Sequence, residues 1–395
     1  MDEPTFAWRR AGIDWRLALM GLVLVVLAVT FHVMSGGLFL TPENLYNVAQ
    51  QTAVVGIVAT VMVLVIVARH IDLSVGSVMG FVGVLIAFLQ YSAGWSWPAA
   101  SLAGLAAALA VSVYQGWLTA GLGVPSFVVT LGGLMSFRGA AFLVADGKTQ
   151  PVTDDFFQRL GGGYDGAIGV TATWGLAALV AIGLIARMLM RRRARASHGV
   201  ALEPLWVDAL VAAVPVVLVL AFAATMNRYQ ISSKPAPQGI PIPVLIWAVV
   251  AGGLSFIVHR TRFGRYVFAM GGNPDAAALV GIPVKRVTLM LFALLSVLIT
   301  VAAIVSIARL NAGTNSLGTG MELYVIAAAV IGGTALAGGS GSILGSVLGA
   351  LIMQSLDSGM LLLDVAIGKR MVIIGQVLIV AVVFDVLYRR RFGET

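Results

Sequence analysis

Apolar runs of 18 or more residues recur along this chain. As a helix, such a run matches the hydrocarbon thickness of a bilayer, where only helices and closed barrels satisfy their own backbone. Twelve apolar segments can be drawn: one beginning at Leu17, then 45–68, 73–91, 98–121, 126–145, 167–190, 205–226, 242–259, 287–309, 322–337, 341–357 and 371–388. With 59% hydrophobic and 11% charged residues, the chain could not stay dispersed in water. The expected fold class is an all-α polytopic membrane protein of 10–12 transmembrane helices, with residues 1–395 forming one membrane domain. No small-residue cleavage site follows the first segment, so it is expected to be an uncleaved membrane helix.

Charge placement orients this count. Threading twelve crossings from a cytoplasmic N-terminus puts 16 of the 25 basic residues inside: the head (Arg9, Arg10, Arg16), the cluster Arg187, Arg191, Arg192, Arg193 and Arg195, the loop 260–286, and the tail Arg389, Arg390 and Arg391. That bias obeys the positive-inside rule and returns the C-terminus to the cytoplasm. The net charge of +8 is then accounted for by loops facing anionic lipid, and nucleic acid is not an expected partner. Cysteine is absent and the four histidines are scattered, which argues against thiol chemistry and a metal site.

Two stretches depart from plain apolar spans. Segments 322–337 and 341–357 are short for a crossing and are separated by LAGGSGS, so one or both is expected to be broken or re-entrant. Gly341, Gly345 and Gly349 recur at four-residue spacing, which suits close helix packing. In IDLSVGS (71–77), an acid and two hydroxyls interrupt an apolar stretch, placing them at the membrane surface or in a solvated pathway.

The loop 260–286 builds something for water. Asn273 reads as an N-cap, Pro274 as the first helical residue and Asp275 as a first-turn acid, with Gly281 as terminator and Pro283 beyond. The resulting helix has only about two turns and needs a surface to dock on. Its Ala276, Ala277, Leu279 and Val280 offer a small apolar face, either to a partner's groove or back to its own protein.

Enzyme signatures fail on inspection. Gly147, Lys148 and Thr149 imitate the end of a P-loop, but Phe142 stands where its first glycine must be. No paired-carboxylate or Ser/His/Asp set stands out among the few charges, so no chemistry and no cofactor are expected in the chain itself.

IDLSVGS (71–77), VPSFVVTLGGLMSFRGAAF (124–142), TRFGRYVFAMGGNPDAAALVGIPVKRV (261–287) and GGTALAGGSGSILGSVLGALI (332–352) together resemble motifs of the monosaccharide permeases of bacterial ABC importers. The likeness runs over nearly the whole chain. It implies a homodimer in the bacterial inner (plasma) membrane, fed by a periplasmic sugar-binding protein. It also implies that a cytoplasmic ABC ATPase subunit, which binds ATP and magnesium, drives transport. The family's ATPase contact corresponds to the loop carrying Arg262, Gly264, Gly272, Asn273, Pro274, Asp275, Ala277, Leu279 and Gly281. Shorter ribose-type members lack the inserted hairpin 167–226, whereas the xylose type resembles this chain there, which points to xylose or a related pentose.

Polar residues within or beside apolar segments are the candidates for lining a sugar path: Gln51, Thr52, Asp72, Ser74, Ser126, Thr130, Asn311 and Glu322. For each, a helix-to-helix hydrogen bond is the competing assignment. A different reading of the chain is an ion-coupled secondary transporter of a small polar solute, with Asp72, Arg138 and Glu322 as coupling charges; it leaves the loop helix without a role.

Overall fold

The computed structural model describes residues 15–163, 165–199, 202, 204–231 and 234–392. Arg9 and Arg10 of the head lie outside the described residues, as do the side chains of Arg389, Arg390 and Arg391. All twelve apolar segments are helical. In order they are α1 (Trp15–Met34), α2 (Pro42–Val67), α3 (Val75–Tyr91), α4 (Trp97–Ala120), α5 (Ser126–Ala145), α7 (Val170–Ser197), α8 (Leu205–Met226), α9 (Ile242–Arg260), α12 (Val284–Leu310), α13 (Met321–Ile331), α14 (Ile343–Leu362) and α15 (Ile367–Phe392). The intervening numbers are short non-membrane helices: α6 (Asp155–Arg159), α10 (Arg262–Gly272) and α11 (Pro274–Leu279). Ten of the described helices are long and apolar enough to cross a membrane; α3 and α13 are shorter.

The bundle is built around α2. Thr41 caps it by accepting from Asn44 N, Pro42 fills a position where no N–H is missed, and Ala, Val, Ile and Leu fill its centre. From Ala53 to Val67 the helix is buried nearly all round, because α9, α12, α13 and α14 pack against it. In contrast, α1, α8 and α15 leave most of their apolar surface on the outside, where lipid is the natural cover. Helices α3, α4, α5 and α12 complete the second half of the bundle, with α12 on α4 and α3 on α5.

The inserted hairpin is peripheral. Helix α7 packs chiefly on α8, and α8 reaches the bundle through α2. The joint lies at one end, where Tyr46 and Tyr229 stack with centroids 4.0 Å apart and Ile240 N donates to Thr173 Oγ1 at 2.9 Å.

The break expected in the 322–357 region falls in the first of its two segments. Helix α13 has 11 residues, whereas α14 has 20 and is a full span capped by Ser342, whose hydroxyl accepts from Gly345 N at 3.0 Å. The glycine ridge does pack helices: a Cβ on Gly345 would strike the Gly332 carbonyl, and one on Gly349 the Ala328 carbonyl. Gly341 departs from the ridge and faces Val63, Val67 and Thr334 instead.

Candidate functional site: a coupling node and a discontinuous crossing

One face of the bundle carries the C-terminal ends of α2 and α9, the α10–α11 turn and the loop 332–342. Local rules explain the turn. Thr261 caps α10 by accepting from Gly264 N at 3.2 Å, and Asn273 caps α11 by accepting from Ala276 N at 3.0 Å. Pro274 opens α11 and Gly281, at φ +85°, closes the segment in a left-handed conformation. Helix α10 escaped the sequence reading. Its signal was present in Thr261 and in the buried Gly264, Val267, Met270 and Gly271, a helical stripe opposite exposed Arg262, Arg265 and Ala269.

The expected apolar face of α11 is divided. Ala277 is buried against its own protein, whereas Leu279 is 89% exposed and Val280 77%. Ala276, Asp275 and Gly272 are also exposed, and Arg262 points outward at the start of α10. Gly264 is held so closely to α9 that a Cβ would meet the Ile257 and Val258 carbonyls at 2.5 Å.

Arg69 joins this turn to the bundle centre. It follows the C-cap of α2 at φ +65°, a left-handed conformation unusual for a side chain of this size. From there its Nε donates to Gly271 O at 2.7 Å and its Nη2 to Gly272 O at 2.6 Å, filling carbonyls that α10 leaves open at its C-terminus. Gly339 N donates to Val67 O at 2.9 Å, so the loop 332–342 closes on the same point. Beside it, His70 Nε2 lies 3.4 Å from Thr288 Oγ1, and burial holds the imidazole below its ordinary pKa.

The second feature is a crossing that is only half helical. After α12, β1 (Gln150–Pro151) pairs with β4 (Ala312–Gly313), and a short β2 (Gln230–Ile231) pairs with β3 (Lys234–Pro237) elsewhere on that side. The chain then runs back along α3: Gly313 lies against Ala87, Leu317 O faces Gly80, and Gly318 meets Gly76. From 87 to 76 is roughly 16 Å along a helix axis, and the 11 residues of α13 add about as much, which together span the ~30 Å core. The non-helical half needs donors for its carbonyls. Arg138 supplies them, with Nη1 donating to Asn315 O at 3.0 Å and Leu317 O at 2.7 Å.

A similar solution serves the residues entering α3. Ile71 N donates to Ser126 Oγ at 3.2 Å, Leu73 N to Thr130 Oγ1 at 3.1 Å, and Ser74 N and Oγ both to Asp72 Oδ1 at 2.7 Å. Asp72, 2% exposed, is therefore buried within the protein and does not face solvent. Four candidate path residues, Asp72, Ser74, Ser126 and Thr130, thus form one cluster whose hydrogen bonds hold this backbone. Glu322 sits a turn further along, its Oε2 against Gly76 and without a hydrogen-bond partner among the described residues.

The remaining candidates are dispersed. Thr52 is buried and donates to Val48 O of its own helix, and Asn311 is an exposed left-handed cap ending α12. Gln51 accepts from Gln354 Nε2 at 2.6 Å beside a small polar cleft shared with Arg309, Thr319, Tyr324 and Asp357. The last three had no sequence signal, since each is a lone polar residue whose neighbours come from distant segments.

Comparison with known proteins agrees with this architecture. Residues 44–382 match the family model described as the branched-chain amino acid transport system / permease component. The chain is 37% identical to the xylose transport system permease protein XylH of Haemophilus influenzae, over 96% of this chain and 98% of that one. It is 36% identical to the XylH of Escherichia coli K12, over 96% and 94%, and 29% identical to the ribose import permease protein RbsC of the same organism, over 98% and 99%. No solved structure matches it. With ten apolar spanning helices and this similarity along nearly its whole length, the protein is a multi-pass inner-membrane protein, and the chain belongs to the family of transport-system permease components represented by that model.

Proposed function

We propose that this chain is the transmembrane permease of an ABC importer that moves a monosaccharide, xylose or a related pentose, from periplasm to cytoplasm by alternating access. In this reading the face carrying α10 and α11 is cytoplasmic, as are both termini. A separate ATPase holding ATP and magnesium grips α11 there, a periplasmic binding protein delivers sugar at the opposite face, and two copies of the chain form a homodimer around the path.

The observation that carries the reading is the tip of α11. Leu279 and Val280 stand exposed outside the membrane-spanning helices, on a capped turn tied by Arg69 to the central helix. An apolar pair in water calls for a groove to cover it, and a short amphipathic helix in a groove is a recurrent docking mode. Movement of the grip would pull α10 and, through the guanidinium, α2. The neighbouring discontinuous crossing gives the bundle a segment able to shift without breaking a continuous helix. A sugar is neutral and heavily hydrated, so tight binding within the membrane would trap it; selectivity then resides in the binding protein. The names of the XylH and RbsC relatives support a pentose.

The ion-coupled alternative fits less well. Asp72 is engaged by Ser74, Arg138 by backbone carbonyls, and α11 would have no task. Reconstitution into vesicles with the cognate ATPase and binding protein tests the proposal: labelled xylose uptake should require ATP and both partners. Uptake driven by a proton or sodium gradient without the ATPase would refute it. Native mass spectrometry should count two permease chains per two ATPase chains, and one per two would refute the homodimer.

A further inference from the structure

The arginines of the inserted hairpin are not used by the coupling node or the discontinuous crossing. Helix α7 has 28 residues, about 42 Å, which exceeds the ~30 Å hydrocarbon core. Counting about 20 residues from Val170 for the span leaves its arginine-bearing end at headgroup level. Arg187, Arg191 and Arg195 recur at four-residue spacing, and with Arg192 they face the first turns of α8 across a cleft of about 240 Å³. Among the described residues Asp208 is the one acid lining that cleft and pairs with Arg192 at 2.6 Å, so these lining residues together carry a net charge of +3. Deeper in, the wall becomes apolar: Leu184, Met188, Val211 and Pro215. The cleft opens at the edge of the bundle, because α7 packs chiefly on α8.

We infer that this cleft is a binding site for an anionic phospholipid, its phosphate held by Arg187, Arg191 and Arg195 and an acyl chain laid on the Leu184, Met188, Val211 and Pro215 wall. The order of the lining carries the assignment. Cationic groups at headgroup level followed by apolar groups at acyl depth match one amphiphile entering sideways from the bilayer, whereas a free phosphate has no use for the apolar half. Arginine suits the task because its planar fork binds phosphate oxygens in pairs.

The test uses the full chain, delipidated in a neutral detergent. Phosphatidylglycerol, cardiolipin, phosphatidylcholine and inorganic pyrophosphate are added separately, and retained adducts are counted by native mass spectrometry. Phosphatidylglycerol and cardiolipin should be retained over phosphatidylcholine, and R191Q/R195Q should weaken their retention about thirty-fold, from two lost surface cations. R260Q/K285Q, which removes equal charge on the same face, should change it less than three-fold. Equal weakening by both pairs, or no preference over phosphatidylcholine, would overturn the inference. So would pyrophosphate displacing the lipids at similar concentration, which would mark a plain anion site. Should R191Q/R195Q fail to fold, a photoreactive phosphatidylglycerol on the unaltered chain decides: labelling must map to 184–215, and labelling elsewhere overturns the site. Loss of sugar transport bears on none of these readouts, so this inference and the transport proposal fail separately.

Discussion

Replacing Arg69 by glycine isolates what the guanidinium does at the coupling node. Two charge-assisted hydrogen bonds, at 2.7 and 2.6 Å, would be lost. Such bonds contribute about 1.5–3 kcal/mol each in protected settings, and the exposure of Nη2 puts this pair at the low end, about 2–3 kcal/mol together. Glycine relieves about 1 kcal/mol of left-handed strain at φ +65°, but loses about as much through the freedom of its unfolded chain. The net is about 2 kcal/mol, felt locally, so amides at the α10 C-terminus and in α11 should exchange hydrogen roughly 30-fold faster while those in α2 stay protected. Under the proposed function, transport should fall and ATPase association should persist, since the gripped surface is intact. Arg69→Lys, which can restore one bond but not two, should fall between. Unchanged exchange in the α10–α11 turn of the glycine variant would refute the claim that Arg69 fastens it to the central helix.

Leu279→Asp alters a side chain that is 89% exposed, so its effect on folding should stay within about 0.5 kcal/mol. ATPase association and transport should nevertheless be abolished, and normal pull-down of the ATPase would sink the docking role. Gly345→Leu forces a side chain into the Gly332 carbonyl and should cost about 1–3 kcal/mol or more, read as lost expression and a lower melting temperature in detergent; wild-type stability would show that the α13–α14 contact is loose. Arg138→Met leaves the Asn315 and Leu317 carbonyls without their donor and should destabilise the fold by about 2–4 kcal/mol, measured by thermal unfolding in detergent, with unaltered stability counting against its structural role. Excising the hairpin 167–226 should reduce stability or assembly more than it changes which sugar is carried, and a switched sugar preference in vesicle uptake would contradict that.

The sequence by itself determined the medium, the number of apolar helices and the signals of the α11 turn. Each is local: run length against bilayer thickness, and the Asn273, Pro274 and Gly281 conformations, which need no distant partner. It also marked 322–337 and 341–357 as short for plain spans, though not that α14 would be complete or that the non-helical half of the α13 crossing would lie before that helix, at 313–320. Only the tertiary structure decided the rest. Thr130 and Ser126 read as polar residues in an apolar helix whether they face a sugar or hold the backbone of Ile71 and Leu73, and only the approach of residues 69–74 selects the second contact. Arg138 and Arg69 likewise find their carbonyls 177 and 202 residues away. Pairings across such separations depend on which helices pack together, and apolar side chains that fit lipid and neighbour equally well carry no address for that choice.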